Sequence, residues 1–151
     1  MFFDPRFIQA MQGGYQVPSY GKPFEYSEKE IRSKAEEMIP EYMVDGLMAY
    51  VMDGVPPGEF LLSVLNNDFA WAVTKADAEN SKRLRDWAIL IHNFTPGGCH
   101  GSAEDVKEWV EIKGLNGLVR KMRKLADDAS AEFERRDEED VKDVKGDRDA
   151  V

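Results

Sequence analysis

The side chains best suited to metal binding or nucleophilic chemistry lie close together in the second half of the chain. His92 precedes a loop that contains Cys99 and His100, and imidazole and thiolate groups are good zinc ligands. Their spacing matches no strong zinc pattern, and a fourth ligand would have to come from elsewhere. Adjacent residues such as Cys99 and His100 rarely present their side chains to each other, so a thiol–imidazole nucleophile is not indicated either. We therefore predict no catalytic residue, no metal site and no cofactor, and a protein that is not an enzyme.

A glycine-rich loop occupies residues 95–102 (Thr-Pro-Gly-Gly-Cys-His-Gly-Ser), directly before a helix that Ser102 is expected to cap. Flexible backbone N–H groups ahead of a helix N-terminus can bind an anion. The loop lacks the Gly-Lys-Ser/Thr ending of a phosphate-binding P-loop, so a tight chain connection is the simpler interpretation. Binding of a small anion or nucleotide is the alternative. The candidate ligand-binding residues are Asp68, Gly97, Gly98, His100 and Ser102.

Asp68 lies inside an otherwise apolar stripe, where a carboxylate must be paired, capped or turned to water. In a helical hairpin it could face Arg83 or Arg85, or accept N–H groups from the glycine-rich loop. Each of these roles is structural. A general base would need a second titratable group in a pocket, and the sequence nominates none.

The element predicted to position these residues is one long helix over residues 55–76. Pro57 suits its first turn, because proline has no N–H to satisfy there. Apolar residues then recur every three or four positions, which is typical of a helix with one wide buried face. They are Phe60, Leu61, Val64, Leu65, Phe69, Ala72, Val73 and Ala76.

Shorter helices are predicted on both sides of this central helix. Ser27 and Glu30 form a capping-box pattern, Pro40 ends the first helix, and Gly54 ends the second. A polar corner at Asp77 leads into a helix that ends near Phe94. Two more follow, one capped by Ser102 and one beginning near Leu115. The predicted fold is therefore all-α, a compact bundle of five to six short-to-medium helices, with Trp71, Trp87 and Trp109 in its core.

Composition limits the functions that this fold can serve. The 151 residues have a net charge of −9, which argues against a broad, non-specific grip on nucleic acid. One cysteine excludes an intramolecular disulfide and suits a reducing compartment. The chain has no signal-peptide pattern and no apolar run near the roughly 20 residues that cross a bilayer, so we expect no membrane association and a cytoplasmic location.

The two ends differ in composition from the helical domain predicted for residues 27–125. Residues 1–26 form an extended arm rich in aromatic residues, proline and glycine. It is expected to lie over the domain's own apolar groove or to dock on a partner through Tyr15, Tyr20, Phe24 and Tyr26. Residues 126–151 form a charged, partly disordered tail, in which residues 127–151 carry eleven Asp or Glu against five Lys or Arg.

A basic amphipathic helix over residues 113–124 precedes this tail. Such a helix can bind a partner protein, anionic lipid or nucleic acid. Because acidic residues follow directly, charge pairing along the helix or with the tail is the simpler interpretation, and nucleic-acid binding is an alternative. The residues concerned are Arg120, Lys121, Arg123 and Lys124. A homo-oligomer is also compatible with this helix and with the aromatic arm, although neither carries a sustained heptad repeat.

The segment from Ile39 to Trp109 resembles an uncharacterised family of short helical proteins encoded by bacteriophages and prophages. The matching residues are Ile39, Pro40, Tyr50, Val51, Gly54, Pro57, Gly58, Phe60, Leu61, Val64, Leu65, Asn67, Asp68, Ala76, Asp77, Trp87, Gly101, Ser102 and Trp109. The resemblance covers about half of the chain. It implies a compact helical module of phage or prophage origin, located in the host cytoplasm, and implies no mechanism.

Taken together, these patterns favour a non-enzymatic, acidic, helical interaction protein that is encoded by a phage or mobile element and binds a host or phage protein. Host takeover or counter-defence is the role that we expect of such a protein. The alternatives are binding of a small anion or nucleotide at residues 95–102 and binding of nucleic acid by residues 113–124.

Overall fold

The computed structural model describes residues 26–149, and this part of the chain is all-helical, without a β-strand. Predictions that concern residues 1–25 and 150–151 lie outside the described residues. The helices are α1 (Glu28–Met38), α2 (Glu41–Asp53), α3 (Glu59–Leu65), α4 (Phe69–Lys75), α5 (Ala78–Ser81), α6 (Leu84–Phe94), α7 (Ala103–Glu111) and α8 (Gly114–Asp149), with a 3₁₀ turn at Gly97–Cys99. The all-α prediction is confirmed.

Local capping chemistry sets several of the helix ends as predicted. The Ser27 hydroxyl accepts the Glu30 N–H at 3.3 Å while the Glu30 carboxylate accepts the Ser27 N–H at 2.6 Å, which completes a capping box at the start of α1. Asp77 caps α5 by accepting the Asn80 N–H at 2.8 Å. Gly54 ends α2 in the left-handed region, at φ 67°.

The prediction of one helix over residues 55–76 is wrong, because the chain breaks between α3 and α4. Asn67 adopts a left-handed conformation at φ 61°, and the Asp68 carboxylate accepts the Trp71 N–H at 3.1 Å as the N-cap of α4. Asn and Asp side chains compete for backbone hydrogen bonds and tolerate such a conformation. The predicted stripe is thereby divided, and the described residues hold eight α-helices rather than five to six.

The sequence predicted that a helix over residues 55–76 would be central, whereas in the structure α2 is the central helix. Its buried side chains are Val44, Leu47, Met48, Tyr50, Val51 and Met52. Helix α1 packs on α2 and α6, and α3 packs on α4, α6 and α7. Trp87 of α6 is fully buried, meets Phe60 edge-to-face at 5.5 Å between ring centroids, and donates its indole N–H to Asn80 at 2.9 Å. The side-chain oxygen of the buried Asn80 therefore has a hydrogen-bond partner within the core.

The C-terminal turn of α2 forms hydrogen bonds with two later parts of the chain, accepting from one and donating to the other. The Trp109 indole N–H donates to the carbonyl oxygens of Tyr50 and Val51, at 3.1 and 3.2 Å. The buried Tyr50 hydroxyl donates to the Cys99 carbonyl at 2.6 Å. Since the last carbonyls of a helix have no partner within it, the Trp109 indole N–H allows the helix end to be buried.

Two glycines let the chain pass close to this helix end. A Cβ atom added at Gly54 would lie 2.8 Å from the Gly114 nitrogen, and one added at Gly114 would lie 2.6 Å from the Gly54 nitrogen. Both residues also have positive φ, 67° and 66°. Backbone therefore packs against backbone where α2 ends and α8 begins, and a side chain at either position would clash and strain the main chain.

The chain divides into two compact units, the first ending at Leu118 and the second beginning at Val119. The sequence predicts frayed, partly disordered residues beyond 126, whereas α8 continues to Asp149. Residues 127–145 contain no glycine or proline, and an Arg136–Glu132 ion pair of 2.9 Å spans one helical turn, which favours a continuous helix. None of the described helices is both long and apolar enough to cross a membrane.

Gly54→Ala should lower the free energy of unfolding by more than about 2 kcal/mol, because the new methyl group meets backbone and φ is positive. Gly46 offers the matched control. It lies inside α2 with no atom within 4 Å of an added Cβ, so Gly46→Ala should stabilise by about 0.5–1 kcal/mol. Urea denaturation followed by circular dichroism measures both changes. Equal stability of the two variants would contradict the close packing of Gly54 and Gly114.

Candidate functional site

The glycine-rich loop, residues 95–102, is held by hydrogen bonds to the core. The Thr95 hydroxyl donates to the Ile91 carbonyl at 2.5 Å and lies 3.4 Å from the Cys99 sulfur. The Gly101 N–H donates to the Leu65 carbonyl at 2.8 Å. With the Tyr50 hydroxyl on the Cys99 carbonyl, these contacts tie the loop to α2, α3 and α6. They favour the simpler of the two interpretations, a tight chain connection.

The helix start behind this loop already holds a negative charge. The Ser102 hydroxyl accepts the Asp105 N–H at 3.1 Å and donates to the Asp105 carboxylate at 2.8 Å. Gly97 and Gly98 belong to the 3₁₀ turn, and an added Cβ at Gly98 would lie 3.6 Å from the Trp109 ring. An anion approaching Ser102 would meet the Asp105 carboxylate, so the geometry gives little support to an anion site here.

Two histidines meet beside the loop, and the cysteine turns away from them. The His92 and His100 rings form an edge-to-face pair with centroids 4.8 Å apart. Cys99 is fully buried, and burial raises the pKa of its thiol to about 12, which keeps it protonated and unreactive. Within residues 26–149 no three His, Cys, Asp or Glu side chains come together in a way that could hold a metal ion.

Asp68 serves as the N-cap of α4. Of the three alternatives that the sequence left open for this carboxylate (paired, capped or turned to water), the structure shows the capping role. Arg83, one of its expected partners, donates instead to the Met38 carbonyl at 3.3 Å. Asp68 lines a groove together with Arg85 and His92, whereas Gly97, Gly98 and Ser102 do not line it. The structure therefore separates Asp68 from most of the predicted ligand-binding residues.

That groove lies between α4 and α6, and sequence reasoning missed it. It has a volume of about 320 Å³, and we call it the α4–α6 groove. Its apolar lining consists of Val64, Phe69, Ala72, Leu84, Ala88 and Ile91. The signal that could have revealed it is the pair Asn67-Asp68, because a break there turns the residues of α4 away from the face that α3 buries.

Three apolar side chains of α4 are exposed, and of these Phe69 lines the groove. Phe69 has 76% of its surface exposed, Trp71 54% and Val73 42%. The sequence places all three tryptophans in the core, which is right for Trp87 and Trp109 and wrong for Trp71. The Lys75 ammonium lies 5.3 Å from the centre of the Trp71 ring and pairs with Glu59 at 3.2 Å. A charged neighbour thus packs on this indole in place of the core.

The predicted partner-binding residues fall in separate places. Tyr15, Tyr20 and Phe24 lie outside the described residues. The Tyr26 ring contacts the Phe94 ring at 5.6 Å between centroids, close to the start of α1. The basic residues are all exposed on α8, within the second unit; they are Arg120, Lys121, Arg123 and Lys124.

Comparison of the chain with models of protein families, with curated proteins and with solved structures found no match.

Stability should fall in mild acid because of His100. Burial and then the neighbouring His92 lower the pKa of His100 below its usual 6.5, while Asp105 opposes the shift. At His100 the unfolded chain therefore binds a proton more readily than the folded one. The contribution of this residue to the free energy of unfolding is complete above pH 6.5, and it is lost as the pH falls through and below that value.

The measurement is urea denaturation at about pH 7.5 and about pH 5 for the wild type and for His100→Gln. The variant should lose less stability between the two values than the wild type does. His92→Gln removes the exposed ring of the pair and leaves His100 half-buried, so this variant should keep most of the pH dependence, reduced by the loss of the His92 charge. An unchanged pH dependence in His100→Gln would contradict this assignment.

Proposed function

We propose that this chain is a non-enzymatic helical interaction protein of phage or mobile-element origin, which binds a host or phage protein at the α4–α6 groove. The observation that carries the proposal is the exposure of Phe69 at the groove, with Trp71 and Val73 on the same short helix. Host takeover or counter-defence is the role that we assign to the complex.

Large exposed aromatic side chains are costly in water and useful at an interface. Burying a phenylalanine side chain contributes roughly 1.5–3 kcal/mol, and aromatic residues dominate the energetics of many protein–protein contacts. Phe69 also lies over a concave surface, where a partner side chain can be surrounded on several sides. These properties distinguish it from Val55, which is exposed in the connection between α2 and α3.

The groove offers polar groups as well as apolar ones. Asp68, Arg85 and His92 line it beside the apolar residues of α4 and α6. A partner segment that inserts an apolar side chain and carries hydrogen-bonding groups next to it fits this combination. A few placed polar groups around an apolar contact are the usual source of orientation and specificity.

Contacts at both ends of α4 hold its aromatic residues in place before a partner arrives. Asp68 caps the first turn, and Lys75 in the last turn pairs with Glu59 of α3. A surface that is already ordered loses less conformational entropy on binding.

Replacing Phe69 with serine should abolish capture of the partner without unfolding the protein, because the side chain is exposed. Val55→Ser is the matched control, since it also removes an exposed apolar side chain but lies away from the groove. Tagged wild type and both variants are incubated with host lysate, and the protein captured by the wild type is identified and purified. Its affinity for Phe69→Ser should then be weaker by about tenfold or more, and its affinity for Val55→Ser unchanged.

Equal capture by Phe69→Ser and the wild type would overturn the groove as the binding surface. A partner that is lost equally in Phe69→Ser and Val55→Ser would overturn it as well, since that result would show no dependence on the groove.

A further inference from the structure

Most of the second unit is a helical segment with exposed side chains. Every described side chain from Arg123 to Lys145 is exposed, including Leu125 at 43% and Phe133 at 66%. A helix in water gains little stability from its own backbone hydrogen bonds, and most helices in proteins depend on packing along one face. This segment of α8 therefore has the properties of a helix that packs against something else.

A short apolar stripe marks the face available for that packing. Leu125, Ala129 and Phe133 are spaced four residues apart, so at about 100° per residue they lie on one side of the helix. The constant step of four drifts around the helix and does not make a heptad repeat. It fits a short crossing of two helices, and the small Ala129 between two large residues allows a close approach.

Charge along α8 changes sign near the middle of this stripe. Residues 119–126 contain four Lys or Arg and no Asp or Glu, a net charge of +4. Residues 127–140 contain eight Asp or Glu and two Arg, a net charge of −6. Two copies side by side in parallel would place like charges together. Two antiparallel copies place the basic part of each beside the acidic part of the other.

The flanks of the stripe are complementary in the same orientation. Lys121 and Glu139 are eighteen residues apart, which is five full turns, so they lie on one flank, each about 80° around the helix from Ala129 and at opposite ends of the stripe. In an antiparallel pair that crosses near Ala129, the same flanks of both helices face each other. Lys121 of each copy then meets Glu139 of the other, and the dimer contains this contact twice.

We propose that the occupant of this face is a second copy of the chain, and that α8 forms an antiparallel homodimer centred near Ala129. The apolar contact is short and the charged contacts are solvent-exposed, so the dimer is reversible and weakens as salt rises. The proposal is independent of the α4–α6 groove, and Phe69→Ser should dimerise as the wild type does.

Sedimentation velocity over about a hundredfold range of protein concentration tests the dimer. Lys121→Glu should weaken the dimer about tenfold or more, because it replaces two attractive contacts with repulsive ones. Arg120 lies on the side of the helix opposite Ala129, so the matched control Arg120→Glu makes the same charge change and should dimerise as the wild type does. The double variant K121E/E139K should recover the dimer.

Disulfide formation tests the orientation. Ala129→Cys should form an intermolecular disulfide, because the two copies cross there, and Val144→Cys should not, because antiparallel ends are far apart. A parallel dimer would cross-link at both positions and would overturn the proposal. The native Cys99 is buried and does not interfere.

Three further results would overturn it. One is a monomer at every concentration, and another is equal weakening of the dimer by Lys121→Glu and Arg120→Glu. The third is a monomer that binds a fluorescent DNA oligonucleotide through Arg120 and Lys121 alike, which would instead make nucleic acid the occupant of this surface.

Discussion

The buried end of α2 is the constraint on which the first unit depends. A helix that ends inside a protein must find donors for its last carbonyl groups, and here the Trp109 indole supplies one to Tyr50 and Val51. The Tyr50 hydroxyl in turn bonds the Cys99 carbonyl. These contacts join α2 to the glycine-rich loop and to α7, which follow it by some 50 to 60 residues. They also explain why that loop, which the sequence suggested as a possible anion-binding site, has a structural role in packing against the core.

The helix caps could be predicted from the sequence, whereas the packing between distant helices could not. The caps at Ser27, Asp77 and Ser102 and the left-handed Gly54 follow from residue types that satisfy helix ends within a few positions. The break at Asn67 was missed because apolar residues keep a helical spacing across it. Periodicity alone does not distinguish one long helix from two short ones joined by a turn, since the choice depends on what each half packs against.

The same limit applies to the two surfaces that we assign to binding. The α4–α6 groove exists only where two helices lie side by side, so no local sequence pattern predicts it. The exposure of Phe69 follows from the helix break at Asn67. The alternation of charge on α8 is plain in the sequence, but its meaning depends on the helix continuing to Asp149. In our two proposals, one unit binds a partner protein at an apolar groove, and the other binds a second copy of the chain through a charged helix.

Replacing Trp109 with phenylalanine tests the role of the α2 end most directly. The change removes the indole donor and leaves the Val51 carbonyl buried without it, so the free energy of unfolding should fall by about 2–4 kcal/mol. Trp71→Phe is the matched control and should change stability by less than about 0.5 kcal/mol, because Trp71 is exposed. Urea denaturation of the two variants and the wild type gives both values. A Trp109→Phe protein as stable as the wild type would contradict the account.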